Sequence, residues 1–319
     1  MAKKSSKTSK KSDAQELPNE KVKAALKAGT ELPPEAEEAA KTGKKKAVGK
    51  TKDVEFKKIS IVPIQKSHAI LVLKGMPGSR LVLNRWSEKA IRQMLAKQMG
   101  IKMPRERRDP EMDWIHSFYY LPKLDGTPYD LSPDSDPEKQ DGGIRTLPYQ
   151  DGVRFGFPVV GIKESMASAA YRTFGYHKVQ IYSAIFLHGE PSLVDGVAAV
   201  ECAEILGTPD DRMDPVRNSG ISRTADLRFR GEFSSWYMPV HVEYNPDVLT
   251  QQDLANLAMH AGHSVGIGEG RVEKGMEWGR FEVVSGEEAE KVLSGEYKPA
   301  KPTPYVDRMT GKSREVAAD

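Results

Sequence analysis

Residues 236–284 limit the fold more than any other stretch, because two hydrophobic periods follow one another there. "WYMPVHVEYN" alternates, placing Trp236, Met238, Val240, Val242 and Tyr244 on one face at the period of two that a half-buried strand requires. "TQQDLANLAMHAG" then changes to the helical period. Leu254, Leu257, Ala258 and Ala261 share a face, Thr250 and Asp253 are spaced to cap the start, and Gly262 can close the end. "GRFEVV" returns to a strand, and "TADLRFRGEF" just upstream alternates as well. The predicted order is strand, strand, helix, loop, strand. A strand–helix–strand unit within one sheet favours a right-handed crossover, which points to an α+β fold with a ferredoxin-like antiparallel sheet.

Upstream, "VEFKKISIVPI" and "HAILVLKGM" read as two strands, the second continuing in "SRLVLN" beyond Pro77 and Gly78. Ser87 caps a helix over "SEKAIRQMLAKQMG", with Ile91, Met94, Leu95 and Met99 on its apolar face and Gly100 ending it. "RFGFPVVGIKESMASAAYRTF" predicts a helix with Pro158 in its first turn and small residues, Ser165, Ala167, Ser168, Ala169 and Ala170, for close packing. "KVQIYSAIFLHG" alternates like a strand and is also compatible with a helix. "SLVDGVAAVECAEILG" reads as a helix, Ser192 and Asp195 standing at capping-box spacing. Two segments rich in Pro, Gly and Asp, about 121–150 and 207–222, read as long insertion loops in packed helix and sheet.

Charge is divided unevenly. Residues 1–53 contain no aromatic residue, and their 14 Lys and 8 Asp or Glu give +6 against +3 for the whole chain, leaving −3 on residues 54–319. Such a stretch buries too little apolar surface to repay ordering, so it reads as a disordered Lys-rich tail. A single α+β domain is expected over 54–295 and a polar disordered tail over 296–319. The basic arm suits a polyanionic partner and equally a solubilising role. Cys202, the only cysteine, excludes an internal disulfide and reads as a small buried residue. No apolar run reaches the roughly 18 residues of a membrane span, and no secretory leader is visible, so a cytoplasmic protein is expected.

The glycine-rich segment "HAGHSVGIGEGRVEKGMEWGRFEVV" (260–284) raises the question of a phosphate site. A dinucleotide fingerprint needs its glycines between a strand and a helix start, and here they leave a helix end and enter a strand. "GKKKAVGKT" (43–51) is one residue too long between Gly43 and Gly49 for a Walker A loop and follows no strand. Two readings remain for the glycine segment. It is either a structural connection or a backbone-lined surface on which Gly266, Gly268 and Gly270 approach phosphates beside Arg271, Lys274 and Arg280, against the opposing charge of Glu269, Glu273 and Glu277. His260 and His263 have no evident third metal ligand. No catalytic residue, metal site or cofactor is predicted; an enzymatic alternative would rest on the carboxylates and histidines of 260–277.

Two long segments carry a resemblance. "ILVLKGMPGSRLVLNRWSEKAIRQMLAKQMG" and "RTADLRFRGEFSSWYMPVHVEYNPDVLTQQDLANLAMHAGHSVGIGEGRVEKGMEWGRFEV" are similar to an uncharacterised bacteriophage protein family, with "FPVVGIKESMASAA" matching its middle helix, so the resemblance spans most of 69–284. A wider resemblance is to the RAMP superfamily, whose CRISPR backbone subunits hold RNA on an RRM-like sheet beside a glycine-rich loop. The chain departs from that superfamily in its acidic body and in the three glutamates of the glycine segment. The resemblance implies a phage-encoded, non-enzymatic nucleic-acid-binding protein in the cytoplasm of a bacterial host. It would bind single-stranded DNA or RNA through the strand's backbone, as a homo-oligomer along it. Implied phosphate contacts are Arg80, Arg85, Arg105, Arg107, Arg108, Arg228, Arg230, Arg271 and Lys274, with Trp86, Trp114, Tyr119 and Tyr120 as stacking platforms. The alternative is a phage structural or assembly protein, found in the virion, whose basic arm contacts packaged DNA.

Overall fold

A computed structural model describes residues 63–104, 108–131, 143–194, 197–217 and 225–313. The strand expected over 54–64 falls almost wholly outside them. Strand β1 (Ser67–Gly75) is followed, after a tight turn in which Gly78 takes φ 75°, by the short β2 (Leu81–Val82). Helix α1 (Glu88–Gln98) starts as its sequence predicts, with the Ser87 hydroxyl accepting from the Ala90 N–H at 3.3 Å, and Gly100 leaves it in the left-handed region. Its apolar face is a different matter. Of that face Ile91 and Met94 are half-buried and Leu95 and Met99 exposed, while Ala96 beside them is buried, so only part of the predicted face meets the protein.

Helix α2 (Pro110–Ile115), capped by Asp109, leads into β3 (Tyr119–Tyr120). The segment read as a loop over 121–150 is partly built into the core: Tyr129, Leu131, Ile144 and Leu147 are buried, the last two in helix α3 (Gly143–Thr146) and the 3-10 turn Leu147–Tyr149. Strand β4 (Phe155–Pro158) precedes α4 (Val159–Phe174), so Pro158 is the N-cap residue rather than part of the first turn. The ambiguous 178–189 stretch divides into α5 (Lys178–Ala184) and β5 (Ile185–His188).

The largest correction concerns 190–222. Where a helix and then a loop were expected, the chain forms β6 (Glu190–Val194) and a 21-residue strand, β7 (Val197–Arg217), that pairs with β8 (Ala225–Tyr244) out to Arg217 opposite Ala225. Alanine and glutamate favour a helix here, but propensity is a weak term beside a ladder of main-chain hydrogen bonds to β6, β4 and β8. The prolines and aspartates of 207–217 are tolerated because, among the described residues, no strand pairs with the other edge of β7 there.

Helix α6 (Gln251–Ser264) has the predicted capping box of Thr250 and Asp253 and buries Leu254, Leu257, Ala258 and Ala261. Gly262 does not end it. The helix runs two residues further because Gly262 lets it approach β9 (Phe281–Val284) so closely that a Cβ would overlap the Phe281 carbonyl. Helix α7 (Glu287–Leu293) follows.

The sheet is antiparallel in the order β3-β4-β7-β8-β1-β9, with β2 and β5 also paired to β8 and β6 to β7. Helices α4 and α6 pack on each other, and α6 packs on β9. Trp236, Met238, Val240, Val242 and Tyr244 are all buried, as alternation predicts, in one cluster with the small face of α4 and the apolar face of α6. A second group of rings, Phe118, Tyr120, Phe155 and Phe233, extends the core toward α2. The polar last stretch, 296–313, also reaches the body: Tyr305 stacks on Trp114 at 5.8 Å, and Thr208 donates to the Ala300 carbonyl at 2.6 Å. Cys202 is buried in β7, and burial pushes its thiol up to about 12, which removes it as a nucleophile at neutral pH. Among the described residues no helix is long and apolar enough to cross a membrane.

Gly262→Ala should force α6 off β9 and lower the unfolding free energy by about 1–3 kcal/mol or more, read from urea denaturation. An unchanged midpoint would show that the close approach is not a constraint.

Candidate nucleic-acid interface

Strand β8 changes the use of its two faces along its length. Between Gly207 and Pro209 the register with β7 slips, two residues of β7 facing three of β8, so Phe233 stays on the side of Trp236. Arg228, Arg230 and Glu232 are thereby turned to the opposite face. The arginine-bearing strand of the sequence is thus a polar face at the root of the long β7–β8 arm.

Those three residues meet different fates. Glu232, 3% exposed, accepts from Arg80 and, at 2.9 Å, from Arg212, whose guanidinium lies 4.0 Å from the centre of the Trp278 ring. Arg230 is 5% exposed; burial lowers its pKa, opposed by the nearby charges of Glu269 and Asp214. Arg228 is only half-buried, and among the described residues it has no carboxylate partner. Arg80 is therefore committed to Glu232, Arg230 is enclosed, and Arg228 is available.

The glycine loop docks against β2. The Glu269 N–H donates to the Val82 carbonyl at 3.0 Å and the Gly279 N–H to the Arg80 carbonyl at 2.7 Å, while Gly266, Ile267 and Trp278 donate to Ala261, Gly279 and Gly270. Gly266, Gly268 and Gly270 all have positive φ, and a Cβ at Gly270 would run into the Trp278 ring. The N–H of Gly266 is spent inside the protein. Arg271 turns back on its own loop, donating to Glu273 and to the Gly268 carbonyl at 3.0 and 3.3 Å, and Lys274 stands exposed in the 3-10 turn Val272–Lys274.

Two adjoining hollows lie beside this loop and share Asn84 and Glu269, whose side chains are hydrogen-bonded at 3.1 Å. The outer hollow, about 760 Å³, runs between α1 and the β8 face, where Arg85, Lys97, Arg108 and Arg228 stand beside Trp86 and Phe229. Its carboxylates are Asp113, Asp226 and Glu269. Arg108 bridges Asp113 at 2.7 Å and Asp226 at 2.9 Å, and its guanidinium covers Phe229 at 5.3 Å. Lys97, like Arg228, has no carboxylate partner among the described residues. Arg85 is held by the Phe118 carbonyl at 3.3 Å. The inner hollow, about 310 Å³, lies between the glycine loop and the start of α4, with Tyr119, Phe157, Gly268 and Arg271 in its lining.

The predicted residues are therefore sorted by the fold. Arg85, Arg108 and Arg228 come together in the outer hollow and Gly268 and Arg271 in the inner one, while Arg80, Arg230 and Lys274 line neither. Arg105 and Arg107 lie outside the described residues. Of the four aromatic platforms, Trp86 is 58% exposed on the outer hollow and Tyr119 is half-buried on the inner one. Trp114 and Tyr120 are core residues, closed off from any ligand, a correction that ring contacts with Phe118 make plain. Lys97 and Phe229 were missed, although Phe229 sits between two arginines in "LRFRG" and Lys97 in the last turn of a predicted helix. No group of His, Cys, Asp and Glu among the described residues could hold a metal ion.

No protein-family model matches the chain, and no curated protein is significantly similar to it.

Glu232→Gln should weaken the charged hydrogen bonds that tie Arg80 and Arg212 beneath the loop and lower stability by about 1.5–3 kcal/mol. Chemical denaturation checks it; a loss below half a unit of that scale would mean that the loop is held by its main-chain bonds alone.

Proposed function

We propose that this chain is a non-enzymatic, single-strand nucleic-acid-binding protein that grips the polymer's backbone in the outer hollow. The observation that carries the reading is the meeting there of Arg85, Lys97, Arg108 and Arg228 with the exposed ring of Trp86 and with Phe229. Cations spaced along a groove take phosphates, and rings between them stack bases at about 1–3 kcal/mol each without regard to sequence. The sheet order supports a ferredoxin-like arrangement: β1, α4, β7, β8, α6 and β9 read as βαββαβ, and their strands lie in the order β7-β8-β1-β9. The resemblance of residues 69–284 to a bacteriophage family supports a phage protein acting in a bacterial host, and the wider resemblance supports assembly along the strand.

A second reading, a phage assembly protein whose arm touches packaged DNA, is favoured by the charge division, since the excess of lysine lies in 1–53 and the remainder is net negative.

Binding of labelled single-stranded DNA and RNA by the full chain across a salt series separates the two. The groove reading expects log affinity to fall linearly with log salt, and the double change Lys97→Ala, Arg228→Ala to reduce the magnitude of the slope by about 0.7 for each lost phosphate contact. Binding indifferent to that double change, yet lost when the lysines of 1–53 are neutralised, would favour the assembly reading.

A further inference from the structure

The two hollows differ in charge in a way that divides the polymer between them. The lining carboxylates of the inner one are Glu164, paired with Lys178 outside the hollow, Glu273, paired with Arg172 at 2.6 Å, and Glu269, which has no ion pair among the described residues; the one lining cation, Arg271, is already bound to Glu273 and to the Gly268 carbonyl. A phosphate entering would meet the unpaired Glu269 carboxylate with no free cation in the lining to offset it. A flat, uncharged group bringing N–H donors would find acceptors instead, against the rings of Tyr119 and Phe157. At about 310 Å³ the hollow is at the small end of ligand sites, the scale of one base rather than of a longer segment.

Resting on the groove reading above, we propose that the inner hollow takes one guanine base turned out of the strand held next door, with the Glu269 carboxylate reading its Watson–Crick edge. Guanine presents two neighbouring donors on that edge, the N1–H and the 2-amino group, which match the two oxygens of a carboxylate. Adenine, cytosine and thymine or uracil each offer a single donor site there, so they leave one carboxylate oxygen unmatched. Glu269 is placed for this. Its Oε1 accepts from Asn84 Nδ2 at 3.1 Å, which orients the carboxylate at the boundary of the two hollows. In an unpaired strand the Watson–Crick edge is free to be read in this way. The division also gives the loop's glutamates a use: they keep backbone out of a hollow meant for a base.

The test uses the full chain and labelled single strands of a thymidine or uridine run, whichever sugar it prefers, carrying at one position guanine, adenine or inosine. Inosine keeps the N1–H and lacks the 2-amino group. The guanine strand should bind roughly tenfold more tightly than the unsubstituted run, with most of the gain absent for adenine and inosine. In Glu269→Gln the ratio of guanine to unsubstituted affinity should fall toward one. Equal binding of all strands would overturn the base pocket and leave the groove reading standing. A guanine preference undiminished in Glu269→Gln would overturn the assignment to this hollow. Failure of every strand to bind would overturn the groove reading and the pocket with it.

Discussion

The antiparallel pairing of β7 with β8 is the constraint on which the rest depends. Over its inner half, Leu206 opposite Tyr237 and Gly207 opposite Trp236, it presents an apolar face to α4 and α6. Over its outer half, from Pro209 opposite Phe233 to Arg217 opposite Ala225, it becomes an arm. One register slip separates the two uses. Without it, Arg228, Arg230 and Glu232 would point at the core, where two buried arginines could not be balanced. With it, the same strand finishes the hydrophobic core and supplies one wall of a polar groove.

The glycine loop completes that groove by close packing. The N–H groups of Gly266, Ile267, Glu269, Trp278 and Gly279 bond to α6, to β2 and the residue before it, or to the loop itself, and its glycines serve close approach, to Trp278 at Gly270 and to the Val82 carbonyl at Gly268. What the loop presents outward is side chain: Glu269 and Arg271 at the mouth of the inner hollow, Trp278 under Arg212 on the other side. This explains why three glutamates are compatible with a neighbour lined by arginines. The inner hollow sets Glu164, Glu269 and Glu273 against Arg271 and the outer one sets Arg85, Lys97, Arg108 and Arg228 against Asp113, Asp226 and Glu269, a difference in balance that a net figure for the body averages away.

Much of this was legible in the sequence where one local signal was strong. The alternation of 236–244, the capping box at Thr250 and Asp253 and the helix start at Ser87 all reappear as read: the two caps rest on bonds within a few residues, and the alternation marks the buried face of β8 whichever strands pair with it. The failures are non-local. "VAAVECAEIL" has helical composition and became a strand because β4, β6 and β8 offer it main-chain partners that no local pattern reveals. Trp114 and Tyr120 looked like stacking platforms and are core, since whether a ring is covered depends on Phe118, Phe155 and a C-terminal Tyr305 far along the chain. Arg228 and Arg230 are two residues apart on one face, yet burial and the nearby Asp214 and Glu269 enclose the second and leave only the first available. Composition identified the cations; tertiary packing decided which of them are free.

The account stands on the outer hollow as the place where a strand lies. Its most direct test is photocrosslinking of the full chain to a single strand carrying 5-iodouridine, with the linked peptides mapped by mass spectrometry. The account predicts crosslinks at Trp86 and Phe229, the rings that stand among the groove's cations, extending to Tyr119 in the inner hollow. Crosslinks confined to residues 1–53, or falling on α5 and α7 away from both hollows, would contradict it.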